Sequence, residues 1–375
     1  MNPRRQPLRL LADDLTGALD SAAAFASLCE PVAVCWREVV AAGGALAFDS
    51  RSREASDEDA RAAVAAVAPV LFAPGAGLAF KKIDSLLRGR EATEIAEIIA
   101  RIGPVHCIVA PAFPAQRRIT RCGRQYLREA GGDSAVSVDL AGNLAEAGHR
   151  IVTLRPGEPV PAGVSLWDAE SDADLDAIVS AAAHLDDVLW VGSAGLAAAL
   201  ARAAGITPGT HAESLPRPIL GLIGSEHDVV RAQLLRLGGL HLLLAANETH
   251  ADAEISNRLL AYGTVFASID LPPGTARRDA AGLIENRFSE LLAKLERPGT
   301  LIAAGGETLR GLCDALGAHR LDVIGEIMPG VPRSILRGGR WDGVTVVSKS
   351  GAFGGPDLLK QLVADTPAAF AGAAA

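Results

Sequence analysis

At 375 residues the chain is long enough for two domains, each burying a substantial core. Hydrophobic residues make up 49% and aromatics 4%, so that core is aliphatic, and a net charge of −8 argues against a nucleic-acid partner. Five scattered cysteines without C-x-x-C spacing argue against a disulfide framework or zinc site; the N-terminus has no long apolar run, so neither a secretory signal nor a membrane span is expected, and a cytoplasmic location is.

In chain order, Leu8, Leu10, Leu11 and Ala12 read as a short buried strand. It runs into Asp13 and Asp14, turns at Thr16-Gly17, where Thr16 can cap, and enters an alanine-rich helix from Ala18. Strands follow over Val32–Trp36 and Gly44–Phe48, a helix over Asp57–Val70, and a strand from Leu78 to Phe80. Arg90–Ala100 has helical spacing and His106–Ala110 suits an interior strand. Pro111–Arg128 is turn-rich and arginine-rich. Short strands are expected at Val136–Leu140, Ile151–Leu154 and Val164–Asp168, then a helix over Asp172–Ala183, a strand over Leu189–Val191 and a helix over Leu196–Ala204. This alternation predicts an α/β domain over residues 1–207 with a largely parallel sheet flanked by helices.

Residues 208–218 are dense in Gly, Pro, Thr and Ser and read as a linker. A second α/β domain over 219–375 begins with the strand Ile219–Ile223. Helices are expected at Val229–Leu237, Ala281–Leu295 and Leu309–Leu316, and strands near Leu240–Ala245, Thr264–Ile269, Thr300–Ala303 and Val344–Ser348. Pro329–Gly339 reads as a loop and Lys349–Gly355 as a glycine turn. The ligand cleft is expected between the two domains.

Chemistry concentrates where strands end, the place at which open parallel sheets bind ligands. Asp13 and Asp14 follow the first strand, and Gly17 would let the backbone approach a ligand. Lys82, Asp84, Ser85 and Arg88 follow another; the chain has only five lysines, and two stand here as a pair. Arg88 offers a planar fork and Lys82 a compact charge to a substrate carboxylate, while Asp84 and Ser85 can bind hydroxyls. Arg51 or Arg53, after the third strand, could meet the same anion. Arg117, Arg118, Arg121 and Arg124 beyond PAFP could hold an anion or simply face solvent or another subunit, and Gly192-Ser193-Ala194-Gly195 suits an anion, the opposing domain or tight helix packing. In the second domain Gly224-Ser225, Gly305-Gly306-Glu307-Thr308 and KSGAFGG can each turn backbone N–H groups toward phosphate. Glu307 could reach a hydrated metal ion, and Thr308 could cap a helix or bind phosphate. Neither GxxxxGK[ST] nor GxGxxG is present, which disfavours a P-loop kinase and a classical dinucleotide-binding dehydrogenase.

The segments ADDLTGALD, KKIDSLLRG, PAFP, WDAESDADL, GSAGLA, GGET, PGVP and KSGAFGG occur in an order that resembles the four-carbon acid sugar kinase family. The resemblance spans nearly the whole chain. It implies an N-terminal sugar-acid domain, a C-terminal nucleotide domain, and transfer of phosphate from ATP, with Mg²⁺, to a hydroxyl of an acid such as threonate, erythronate or 3-oxo-tetronate. Residue by residue, it implies that Asp14, Lys82, Asp84, Ser85 and Arg88 lie on the acid side. Gly305, Gly306, Glu307, Thr308 and the Gly351–Gly354 loop lie on the ATP side. Together with the reading of the residues, Asp14 and then Asp84 are the candidate catalytic carboxylates. Asp13, Lys82, Ser85, Arg88 and Arg51 are candidate substrate contacts. Ser225, Gly305, Gly306, Glu307, Thr308, Lys349, Gly351 and Gly354 are candidate nucleotide contacts. Two departures from the family pattern stand out: Leu86 replaces a Thr in KxDSTLRG, and GSEHDVVRAQL keeps Ser225 and Gln233 but has His227 and Val230 at polar positions. A non-catalytic sugar-acid sensor and a dehydrogenase are the alternatives, and a homo-oligomer is left open.

Overall fold

Short apolar strands alternating with helices that carry one apolar face can bury both only as a layered α/β structure. The computed structural model describes residues 7–26, 30–39, 44–129, 131–206, 214–245, 248–272 and 274–364. The chain divides into two compact units, Met1–Pro208 and Gly209–Ala375. Of the expected linker, residues 208–213 lie outside the described residues.

The first unit opens with β1 (Leu8–Ala12), α1 (Leu15–Phe25), β2 (Val32–Cys35), β3 (Leu46–Asp49), α2 (Asp57–Leu71), β4 (Leu78–Lys82), α3 (Glu91–Ile102) and β5 (His106–Ala110). Then come β6 (Arg118–Arg121), β7 (Arg124–Glu129), β8 (Gly132–Ala135), α4 (Leu140–Glu146), β9 (Ile151–Leu154), β10 (Gly163–Trp167), α5 (Asp172–Ala181), β11 (Val188–Gly192) and α6 (Ala194–Ala203). The main strands pair in parallel in the order β2-β3-β1-β4-β11-β5-β10-β9. Helices α1, α5 and α6 pack together, as do α2, α3 and α4. The latter group closes an aliphatic core with Leu11, Val64, Ile95, Val109 and Leu144.

Two expectations here are corrected. Within and just beyond the arginine-rich stretch, β6, β7 and β8 form a separate antiparallel sheet. The strand expected at Val136–Leu140 is instead β8, a few residues earlier. Asp139 accepts a hydrogen bond from Gly142 N at 3.1 Å, and this cap turns Leu140 into the first residue of α4.

The second unit contains β12 (Ile219–Ile223), α7 (Asp228–Leu237), β13 (His241–Ala245), α8 (Ala251–Tyr262), β14 (Thr264–Asp270), α9 (Arg277–Lys294), β15 (Thr300–Ala304) and α10 (Gly306–Ala315). It ends with β16 (Arg320–Met328), β17 (Val331–Arg337), β18 (Thr345–Lys349) and α11 (Leu358–Leu362). The order β13-β14-β12-β15-β18 is parallel, and β17 and β16 extend it antiparallel. The loop expected over Pro329–Gly339 is therefore mostly strand. Pro332 is tolerated because it pairs with Glu326 beside a bulge. Helices α8 and α11 were not expected from the sequence.

Both units share one chain path. The first strand is followed by an outer strand, then by one that returns beside it, and the next strand crosses to its other side: β1, β2, β3, β4, and again β12, β13, β14, β15. The strand order reverses at β1 and at β12, where ligands bind in sheets of this kind.

Candidate active site

The acid-side residues converge where β1, β3 and β4 end. Helix α1 starts at Leu15, earlier than expected, and its N-cap is Asp14 rather than Thr16. Asp14 accepts from Gly17 N at 2.9 Å and from Thr16 Oγ1 at 2.5 Å. Gly17 gives room to neighbouring side chains: a Cβ there would lie 2.5 Å from Asp14 Oδ1 and 3.1 Å from Lys82 Nζ.

Arg53 ties the two neighbouring aspartates together. It forks onto Asp13 through two bonds of 2.8 Å and reaches Asp14 Oδ2 at 2.7 Å. Asp13 is 1% exposed, and Asp14 keeps 19% of its side chain open. Burial alone would raise the Asp13 carboxyl, but the charges of Arg53, Lys81 and Lys82 hold it below its ordinary value. Arg51, from the same loop, stands exposed with a left-handed backbone (φ 54°), and its guanidinium forms no ion pair among the described residues.

The two adjacent lysines separate because successive strand residues face opposite ways. Lys81 is fully buried and pairs with Glu94 on α3 at 2.8 Å. Glu94 also accepts from Ser52, and Ser52 and Ser50 share a hydrogen bond of 2.7 Å, so this pair anchors the loop that carries Arg53. Lys82 turns toward α1 and donates to Ile83 O at 2.9 Å, leaving two N–H groups for a ligand. Asp84 is forked by Arg88 at 2.6 and 2.8 Å and also accepts from Leu86 N and Arg88 N. Burial would raise Asp84; the Arg88 hydrogen bonds and the charges of Arg53, Arg88 and Lys82 outweigh it and keep the carboxyl well below the usual range. The Arg88 side chain remains 58% exposed. Ser85 is buried, and its carbonyl accepts from Gln125 at 2.8 Å.

Three residues here fall outside the candidate contacts expected from the sequence, although Arg118 stood in the arginine group that could hold an anion. Arg118, at the start of β6, is the arginine of its group with electrostatic links to Asp84, Arg88 and Asp20. Arg121 and Arg128 pair with Glu170, and Arg124 with Asp139, at the surface. Burial pushes Asp20, on α1, up to about 6; Asp14 adds to the effect while Lys82 and Arg118 oppose it. Glu91 is pushed up to about 7 by burial, against a hydrogen bond from Gly89 N. Asp20 and Gly89 both lay inside the motifs already singled out. Ser193 and Gly195, by contrast, serve packing: Ser193 Oγ donates to Ala112 O at 2.6 Å, and a Cβ on Gly195 would lie 2.7 Å from that oxygen.

The second unit assembles its candidates from loops that follow β12, β15 and β18. A Cβ on Gly224 would collide with Thr308 Oγ1, and one on Gly351 with Ser225 Oγ. Gly305 N donates to Lys349 O at 3.0 Å, and Gly305, rather than Thr308, is the N-cap of α10. Gly306 opens that helix, and Glu307 stands exposed in its first turn. Gln233 donates to the carbonyls of Phe353, Gly354 and Gly355, clamping the last glycine loop. His227 caps α7 by accepting from Val229 N at 3.2 Å, and Val230 is fully buried in the core, so both departures have structural roles. Lys349 is 2% exposed, its Nζ has no hydrogen-bond partner among the described residues, and burial lowers it to about 8. No cluster of three metal-ligating side chains occurs among the described residues, and no helix there is long and apolar enough to cross a membrane.

Two family models match, a sugar-binding N-terminal domain over residues 8–141 and a nucleotide-binding C-terminal domain over 222–359. A D-threonate kinase of Cupriavidus necator is 34% identical over 93% of this chain and 95% of its own length. A D-threonate kinase of Bordetella bronchiseptica is 30% identical over 93% and 95%. A 3-oxo-tetronate kinase of Pseudomonas fluorescens is 27% identical over 96% and 97%. Among solved structures, Haemophilus influenzae protein HI1011 shares the fold with a TM-score of 0.69 at 19% identity, covering 94% of this chain and 98% of its own. With both domain models matched and relatives aligned along almost its full length, the chain belongs to the four-carbon acid sugar kinase family and is an ATP-dependent kinase of small sugar acids.

Proposed function

We propose that the acid phosphorylated is D-threonate or its near stereoisomer, with the acid held in the first domain and ATP in the second. Relatives that carry the D-threonate name and align over the whole chain support the choice. The observation that carries the site assignment is the convergence of Lys82, Arg88 and the Arg53-held pair Asp13 and Asp14 at the ends of adjacent parallel strands. Lys82 and Arg88 hold the carboxylate, each with donors left over from its internal bonds. Asp14, the more open of the two neighbours, orients the accepting hydroxyl. Asp13 is a positioning group, and so is Asp84, which fixes Arg88. Ser85 lines the site, and Arg51, exposed on the rim, adds positive charge.

Gly305, Gly306, Thr308, Ser225, Gly351 and Gly354 surround the phosphates of ATP with backbone and hydroxyl donors, and Lys349 supplies the one buried positive charge among them. Mg²⁺ fits this arrangement as a companion of the phosphates, since it usually keeps several waters and needs only one or two carboxylates. Glu307 is the carboxylate that would hold it, and the ion would supply charge neutralisation of the phosphate oxygens. The protein's own part is positioning and electrostatics. Cys107 and Cys122, both free thiols, suit a cytoplasmic enzyme. A coupled ATP-consumption screen over every stereoisomer of the four-carbon acids, with product analysis, tests the reading. Turnover greatest on D-threonate is expected; ATP use without a phosphorylated acid would overturn it.

A further inference from the structure

Most carboxylates around the acid site are committed. Asp13 is forked by Arg53, Asp84 is forked by Arg88, and Asp14 already accepts from Gly17, Thr16 and Arg53. Glu91 is 4% exposed and bonded to Gly89 N. Arg53 and Arg88 hold the Asp13 and Asp84 carboxyls below the usual range, because each such bond stabilises the charged form, and both are weak bases. Glu91, which burial pushes up, is too enclosed to meet a substrate hydroxyl.

Asp20 differs from all of them. It stands half-buried on α1, three residues beyond Gly17 and so on the same face. Among the described residues its carboxylate accepts no hydrogen bond. The charged groups that face it are Lys82 from β4, Asp14 at the cap of α1 and Arg118 from β6. A Cβ on Gly17 would lie 3.1 Å from Lys82 Nζ, and Asp20 follows one turn later on that face of α1, so it borders the place where a sugar acid held by Lys82 would lie. Nothing among the described residues of the first domain uses its lone pairs.

We propose that Asp20 is the catalytic base that takes the proton from the accepting hydroxyl, an inference that rests on the sugar-acid kinase reading above. As the hydroxyl oxygen bonds to the γ-phosphorus, its O–H proton passes to the Asp20 carboxylate. The bond from that phosphorus to the bridging oxygen breaks, and the electron pair leaves with ADP. Asp14 orients the hydroxyl, and Asp20 accepts the proton. A base works best when its pKa lies close to the working pH, and Asp20, near 6, meets that condition where Asp13 and Asp84 do not.

The test compares full-length wild type with Asp20→Asn and Asp20→Glu on the best acid of the panel. D20N is expected to lose kcat on the order of 10²–10⁴-fold, with ATP affinity unchanged. The wild-type kcat should fall on the acid side with an inflection near 6, and the residual activity of D20N should lack that limb. D20E, which keeps a carboxylate, should recover at least about tenfold over D20N. The melting temperature of D20N at neutral pH should equal or exceed that of wild type. Folding raises the pKa of Asp20 from 3.8 to about 6, so its contribution to stability is lost as the pH rises between those values, the full cost is present at neutral pH, and the amide removes it. A D20N protein with near-wild-type kcat, or one that loses activity and melting temperature together while keeping the acid limb, overturns the assignment. If wild type phosphorylates no acid of the panel, the kinase reading fails with it; if wild type is active and D20N keeps pace, only the base is misassigned.

Discussion

The two units follow the same path through their first four strands yet build their candidate sites from different materials. At the end of β1, β3 and β4 the first unit sets charged side chains in mutual bonds: Arg53 on Asp13 and Asp14, Arg88 on Asp84, Lys81 on Glu94. At the end of β12, β15 and β18 the second unit sets glycines, two hydroxyls and one buried lysine. On the proposed assignment, the difference follows from what each has to recognise. A small acid with several hydroxyls is read by side chains of fixed direction, which must themselves be held by ion pairs. A polyphosphate offers many equivalent oxygens, and backbone N–H groups meet them wherever no Cβ intervenes. The first site therefore depends on charge pairing, and the second on empty space.

The sharpest way to break this comparison is to remove one partner of the buried pair beneath the acid site. Lys81→Met leaves Glu94 buried and uncompensated and is expected to destabilise the protein by about 3–5 kcal/mol, read from the denaturant midpoint. Lys349→Met removes an equally buried lysine that has no partner among the described residues, and should cost no stability at neutral pH. Equal losses in the two variants would mean that the units do not differ in this way. Next in size, Asp14→Asn keeps the helix cap, because asparagine caps as well as aspartate. Its kcat should fall on the order of 10²-fold with unchanged ATP binding, as expected for lost orientation of the hydroxyl. A lower melting temperature with normal turnover would make Asp14 a cap and nothing more.

Arg88→Ala and Gly351→Val sharpen the division of labour. The first should raise the KM for the acid by about 10–100-fold, the worth of one or two hydrogen bonds to a charged group, and leave ATP affinity alone. The second puts a side chain against Ser225 Oγ and should weaken an ATP analogue about tenfold or more by calorimetry, leaving acid binding alone. Crossed effects would reassign the loops. The smallest effect concerns pH. Burial depresses Lys349 to about 8, so the cation proposed to meet phosphate is lost as the pH rises through that value. ATP affinity should decline several-fold above about pH 8 in wild type and stay flat in Lys349→Met.

Much of this was legible in the residues alone. Alternating apolar runs and helical spacings located most strands and helices within a few residues, because one-faced burial writes its period into the sequence. The motifs ADDLTGALD, KKIDSLLRG and KSGAFGG marked strand ends that do carry the clustered polar groups. The antiparallel pieces were less legible. A proline-containing segment such as Val331–Arg337 becomes a strand only because neighbours on both sides supply its pairing and a bulge accommodates Pro332.

What the sequence by itself determined was the order of elements and the inventory of charges at the strand ends, since both depend on local pattern. What only the tertiary structure decided was the use of each charge. Lys81 and Lys82 are neighbours in sequence, but the pleat sends one into a buried pair and the other toward α1. Arg53 rather than Arg51 meets the aspartates because their backbones diverge within a turn, and Asp20, in the same motif as Asp14, accepts no hydrogen bond among the described residues. A side chain's role follows from what lies across from it, and partners 40 residues away, as Arg53 is from Asp13, come together only when the sheet forms.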